Sequence, residues 1–152
     1  MNTQELETTA NAMVSPGKGI LAMDESTPTI HKRLSSIGVA DTVENRLAYR
    51  EILITTPGLG DYINGAILFD ETIRQMLSDG TSVPDALNKQ GIMPGIKVDA
   101  GAKDLAGHPG EKVTEGLDKL RDRLAEYRDL GARFAKWRAV ITIGDGIPSR
   151  AC

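Results

Sequence analysis

A chain of 152 residues with 40% hydrophobic and 26% charged residues has the length and balance of one globular domain, not of a disordered or fibrous protein. Its net charge of −3 leaves no basic surplus to neutralise a phosphate backbone, so nucleic acid is not an expected partner. No apolar run nears the ~18 residues of a membrane span, the first residues carry no signal-peptide core, and the lone Cys152 makes no internal disulfide; a cytoplasmic protein without a membrane partner is expected.

In chain order, Leu6, Ala10, Met13 and Val14 share one helical face near the N-terminus. Gly19-Ile20-Leu21-Ala22-Met23 is short, apolar and bounded by turn signals, which predicts a buried strand. A short helix is expected over Thr29 to Ile37, and Asp41 is a suitable N-cap for a helix from Thr42 to Ile54. Gly65-Ala66-Ile67-Leu68-Phe69 reads as a second strand, Pro84 to Gln90 as a helix closed by Gly91, and Gly95-Ile96-Lys97-Val98 as a third strand. The glycine-rich stretch from Asp99 to Lys112 reads as a loop. Leu117, Leu120, Leu124 and Tyr127 predict an amphipathic helix from Glu115 to Leu130, stopped by Gly131. Phe134 to Val140 reads as a fourth strand.

Strands alternating with helices predict an α/β fold with a parallel sheet. The strand starts fall about 38 residues apart, and eight such units would need about 300 residues, a normal length for a (β/α)8 barrel. Four units imply either half a barrel or a small open sheet, as one domain over residues 1–152 without a linker.

Four features bear on chemistry. Lys136 and Arg138 are two residues apart and so share one strand face, with Trp137 on the other. That face either lines a barrel opening on an anionic ligand or is the solvated face of an edge strand. Lys97 with Asp99 repeats the pattern, its bland alternative being a lysine that snorkels from a strand end. Asp24 ends the first strand, where parallel-sheet enzymes place catalytic groups, though it could equally cap the next helix. Asp70-Glu71 after the second strand reads as a cap with first-turn charge.

Clustered lysines with one carboxylate suit Schiff-base chemistry, since a neighbouring cation leaves an amine neutral and nucleophilic. Lysine and arginine together suit a phosphorylated carbonyl substrate. By spacing alone the nucleophile is Lys97 or Lys136. Pro16-Gly17-Lys18-Gly19 precedes a strand rather than following one, and Gly107 to Lys112 lacks the Gly-Lys-Ser/Thr ending, so neither is a phosphate loop. His31 and His108 lie far apart, and no metal or other cofactor is expected.

The segments Pro16 to Thr27, Lys32-Arg33-Leu34, Glu44-Asn45-Arg46, Ile67 to Thr72, Gly95 to Asp99, Thr114 to Asp118 and Phe134 to Arg138, in this order, closely resemble class I fructose-bisphosphate aldolases. The resemblance runs from about residue 4 to residue 149. It implies a TIM barrel, of which these residues form the N-terminal half with about four βα units, in a protein that is usually tetrameric. It also implies reversible cleavage of fructose 1,6-bisphosphate to dihydroxyacetone phosphate and glyceraldehyde 3-phosphate through a lysine Schiff base, without a metal.

Carried over by motif, Asp24 assists proton transfer at the C4 hydroxyl, and Lys136 lowers the nucleophile's pKa and polarises substrate oxygens. Lys97 and Arg138 line the same pocket. Ser26 and Arg33 sit by a phosphate, Thr29 stands where relatives often have serine, and Arg46 matches an arginine associated with bisphosphate binding. The resemblance puts the Schiff-base lysine on strand 6, beyond Cys152, so neither Lys97 nor Lys136 is the nucleophile and the 152-residue chain is expected to be inactive alone. Alternatives are a split enzyme whose second chain supplies the later strands, a self-paired barrel, and a non-enzymatic sugar-phosphate-binding module.

Overall fold

The computed structural model describes residues 2–152. Its elements are α1 (Thr3–Met13), β1 (Gly19–Ala22), α2 (Thr27–Ser36), α3 (Val43–Ile54), α4 (Leu59–Tyr62), β2 (Ile63–Leu68), α5 (Asp70–Ile73), α6 (Val83–Lys89), β3 (Met93–Lys97), β4 (Gly101–Asp104), β5 (Lys112–Glu115), α7 (Leu120–Asp129) and β6 (Phe134–Lys136). Four strands form one parallel sheet in the order β1-β2-β3-β6, while β4 and β5 pair as a separate antiparallel hairpin.

The strand order fits the half-barrel that the strand spacing allowed. Each parallel strand lies beside its predecessor, as in a singly wound barrel; a doubly wound sheet reverses order partway. The fold is a partial TIM barrel.

Period-2 alternation sorts the side chains. Ala66, Leu68, Ile96 and Val98 turn to the helix layer and are at most 4% exposed, packing with Met23, Ile54, Ile73, Leu87 and Tyr127. Burying each large aliphatic side chain contributes about 1.5–3 kcal/mol, which makes this layer the main source of stability. Gly95 and Lys97 turn to the opposite face. There the Phe134 ring lies directly over Gly95, where an added Cβ would stand 2.2 Å from the ring. Glycine is required at that point by the close approach of the aromatic ring.

Several sequence expectations change in detail. The stretch from Asp99 to Lys112 is not all loop, because residues 101–104 pair with residues 112–115 as a hairpin. The helix expected from Glu115 begins only at Leu120: Glu115 ends β5, Gly116 has φ 129° and Lys119 adopts the left-handed conformation. Leu117 is therefore 72% exposed and outside the helix, while Tyr127 keeps its buried place. The fourth parallel strand stops at Lys136, because it pairs only with Gly95–Lys97 and β3 ends there. Thr42 rather than Asp41 caps α3, its Oγ1 accepting from the Asn45 N–H at 3.2 Å. The Asp41 carboxylate is committed to Arg46 instead. Asp70 and Glu71 occupy the first turn of α5, which Phe69 precedes without a side-chain cap.

Candidate functional site

The carboxyl ends of β1, β3 and β6 converge on a cleft of about 410 Å³. Asp24 lies two residues beyond β1, Lys97 ends β3 and Lys136 ends β6. Lys136 Nζ donates to Asp24 Oδ2 at 2.7 Å. Lys97 Nζ donates to Asp99 Oδ1 at 2.8 Å and to the Asp99 carbonyl at 2.7 Å. Asp99 also accepts from the backbone N–H groups of Gly101 and Arg138, at 3.2 and 3.4 Å, so one carboxylate ties β3 to the hairpin and to the segment after β6. Burial pushes the Asp99 carboxyl up, but the Lys97 ammonium and the two N–H donors outweigh it and hold the group below the ordinary aspartate value.

The opposite wall comes from the start of α2. Ser26 is its N-cap residue and Pro28, with its preset φ, helps begin the helix. The hydroxyls of Ser26 and Thr29 lie 3.4 Å apart and both line the cleft. Arg33, one turn further on, donates from Nη1 to Glu25 Oε1 and, at 2.9 Å, to the Tyr49 hydroxyl. Glu25 holds the Arg33 guanidinium more firmly charged than an ordinary arginine.

Of the residues nominated from sequence, Asp24, Ser26, Thr29, Arg33, Lys97, Lys136 and Arg138 line this one cleft. Arg46 does not. Its Nε and Nη2 donate to Glu71 at 2.8 and 2.6 Å, and its Nη1 donates to Asp41 at 2.7 Å. With all three nitrogens committed, Arg46 braces α3 against α5 rather than facing the cleft, because α3 lies in the outer helix layer. Two groups at or beneath the cleft carry no role in the sequence reading. Glu25 was visible there only as the acidic neighbour of Asp24. Arg50, buried at 3% exposure, gives no pattern signal, since one arginine inside a helix looks like any solvated one.

Chemically, the cleft sets four cations, Arg33, Lys97, Lys136 and Arg138, against three carboxylates, Asp24, Glu25 and Asp99. Three of the cations already hold a carboxylate partner. Arg138 has no ion-pair partner among the described residues, so the surplus favours an anionic ligand. The Asp24 carboxylate, hydrogen-bonded to an ammonium and 9% exposed, is placed to take and return a proton at a bound hydroxyl. Among the described residues no group of three or more His, Cys, Asp or Glu side chains is arranged to hold a metal ion.

Comparison with known proteins gives a consistent family. The family model for class-I fructose-bisphosphate aldolase matches residues 5–152. A "probable fructose-bisphosphate aldolase class 1" of Xanthomonas campestris is 64% identical over all of this chain and 46% of its own length. The chloroplastic fructose-bisphosphate aldolase 3 of Arabidopsis thaliana is 54% identical over 95% of this chain and 37% of its own. Among solved structures, Plasmodium falciparum fructose-bisphosphate aldolase, in complex with TRAP and a small-molecule inhibitor, superposes with a TM-score of 0.93 at 48% identity. That match covers 97% of this chain and 43% of the other. The chain spans less than half the length of these relatives.

Proposed function

Because this chain belongs to the class I fructose-bisphosphate aldolase family, we propose that its cleft binds and orients a phosphorylated ketose for reversible aldol cleavage, with fructose 1,6-bisphosphate as substrate and dihydroxyacetone phosphate and glyceraldehyde 3-phosphate as products in glycolysis and gluconeogenesis. One observation carries the reading: Lys136 Nζ and Asp24 Oδ2 meet at 2.7 Å inside a cleft that also gathers Lys97 and Arg138. A carboxylate beside an ammonium suits cleavage next to a hydroxyl. Asp24 takes the hydroxyl proton while Lys136 stabilises negative charge developing on the neighbouring oxygen. Ser26, Thr29 and Arg33 offer hydroxyl and guanidinium donors to one phosphate, and Arg138 with Lys97 offers cations from the other wall.

The reacting amine is a different matter. Lys97 and Lys136 are both engaged by carboxylates, at 2.8 and 2.7 Å, and neither points free into the cleft. The resemblance to the family assigns the Schiff base to a lysine on strand 6, outside these residues. The 152-residue chain is then a substrate-binding half, and in a whole protein of the family's length it acts as part of a homo-oligomer, for which a tetramer is the expected state. The single cysteine supports a reducing, cytoplasmic setting.

The test is a pair of measurements on the 152-residue chain. Calorimetry with fructose 1,6-bisphosphate is expected to detect binding, and a coupled assay is expected to detect no cleavage. Cleavage by the chain alone would overturn the assignment of the nucleophile; absence of binding would overturn the cleft.

A second reading, a half-barrel completed by a separate chain, draws on β1 and β6, each of which pairs on one side only among the described residues. Mixing with the later half of a relative is expected to restore cleavage if that reading holds.

A further inference from the structure

We infer that Arg50 is a positioning residue for this cleft, acting through Glu25 to fix the segment that carries Asp24 and Ser26. The inference rests on the cleft being the sugar-phosphate site, and it adds a residue from the outer helix layer that touches no ligand.

Arg50 lies on α3 and is 3% exposed. A buried guanidinium is costly to desolvate unless it is well paired. Burial accordingly lowers its hold on the proton, with Glu25 opposing that effect. Its hydrogen bond and its ion pair both go to one residue, while the guanidinium also lies 5.2 Å from the centre of the Tyr49 ring. Nη2 donates to the Glu25 carbonyl at 2.9 Å, and Nη1 stands 3.0 Å from Glu25 Oε2. Arg50 therefore meets Glu25 by a hydrogen bond to its main chain and an ion pair to its side chain.

The position of Glu25 gives this grip its consequence. Residues 23–26 belong to no helix or strand, so the regular ladders of β1 and α2 do not hold them. Met23 is tied by its N–H to the Ile67 carbonyl at 3.2 Å, and the next main-chain anchor is the Glu25 carbonyl on Arg50. Asp24 sits between these two anchors. Beyond them, the Ser26 carbonyl accepts from the Thr29 and Ile30 N–H groups at 2.8 and 3.0 Å, starting α2. The other carboxylate oxygen of Glu25 accepts from Arg33, whose guanidinium is also held by the Tyr49 hydroxyl at 2.9 Å. One buried cation thus sets the backbone beside Asp24 and, through a single carboxylate, the orientation of Arg33. An arginine serving only the core could be met by any acceptor; here the hydrogen bond and the ion pair fall on the residue between the proposed acid-base group and the proposed phosphate donors.

The test uses Arg50→Lys, which keeps the charge but cannot reach carbonyl and carboxylate at once, with Glu25→Gln and the double variant. Inorganic phosphate and fructose 1,6-bisphosphate are titrated into the 15N-labelled 152-residue chain. Arg50→Lys is expected to weaken both ligands by about tenfold. The double variant should bind no more weakly than the weaker single one, since the two residues act in one chain of contacts. A core-only arginine would lower the melting temperature and leave ligand affinity of the folded protein unchanged; that result, or fully additive losses, overturns the proposal. If Arg50→Lys does not fold, Glu25→Gln decides alone: weakened phosphate binding supports the route, unchanged binding overturns it. If the unaltered chain binds neither ligand, the sugar-phosphate reading fails separately, and Arg50 is judged by amide exchange. Faster exchange at Thr29 and Ile30 in Arg50→Lys, with β2 and β3 unchanged, supports it; equal exchange overturns it.

Discussion

Lys136 Nζ and Asp24 Oδ2 lie 2.7 Å apart although Lys136 ends one edge strand of a four-stranded sheet and Asp24 lies two residues beyond the other. A flat sheet would hold those edges about 14 Å apart, beyond the combined reach of the two side chains. The bond therefore reports the curl of the sheet, and the curl turns Lys136, Lys97 and Asp24 toward one space.

Removing the ammonium end of that bond separates binding from folding. Lys136→Ala is expected to weaken fructose 1,6-bisphosphate binding by about tenfold or more, the scale of losing one charge-assisted contact. Stability should fall by only about 1–2 kcal/mol, because the lysine side chain is 29% exposed and Asp24 keeps some access to water. Calorimetry and urea unfolding measure the two effects.

Arg46→Ala should do the reverse. Its bonds to Glu71 and Asp41 join α3 to α5 and to the loop before α3, so their loss should lower the melting temperature by about 2–4 °C. Phosphate affinity should stay within about twofold of the parent. A selective loss of phosphate binding would return Arg46 to the site.

Asp99 gives a pH dependence of known sign. Its folded-state pKa lies below the ordinary 3.8, so the stability it contributes is fully present above that value and is lost as pH falls through the lower, folded-state one. Asp99→Asn should therefore be less stable than the parent at pH 6, and the difference should shrink below pH 4. Urea unfolding of both proteins across pH 3–7 measures this; a constant difference refutes it.

Glu111 predicts the same sign at a different place. The Ser149 hydroxyl and N–H donate to its carboxylate at 2.6 and 2.5 Å and hold it below its ordinary 4.5. His108 Nδ1 stands 3.6 Å away. The tie between the loop before β5 and the chain after β6 should be intact above pH 4.5 and loosen as pH falls through the lower, folded-state value. Amide exchange at Ser149 should rise at acid pH, and Glu111→Gln should weaken that dependence.

Gly95→Ala tests the packing of the sheet face that Gly95 shares with Lys97. An added methyl would meet the Phe134 ring at 2.2 Å and should cost about 1–3 kcal/mol through overpacking. Pairing it with Phe134→Leu should recover part of that loss in thermal unfolding.

How much was legible in advance follows from what each signal needs. The four parallel strands announced themselves as apolar runs, and the period of two was enough to put Lys136 with Arg138 and Lys97 with Asp99. The hairpin of residues 101–104 with 112–115 escaped because its strands are short and polar, and their pairing depends on chain neighbours eight or more residues away. The late start of α7 escaped because Leu117 continues the helical spacing even though Gly116 and Lys119 leave helical backbone geometry. Arg46 was misplaced because its sequence motif does not record that Asp41 and Glu71 lie within its reach.

The sequence by itself determined the four parallel strands, the parallel α/β class, the family and most of the residues that line the cleft, because periodicity and local motifs are properties of neighbouring positions. Only the tertiary structure decided which cations and carboxylates pair, that Arg46 braces helices, and that Arg50 lies buried beneath Glu25. Those facts depend on the curl of the sheet and on distances between residues tens of positions apart, where a difference of a few ångströms separates an ion pair from no contact.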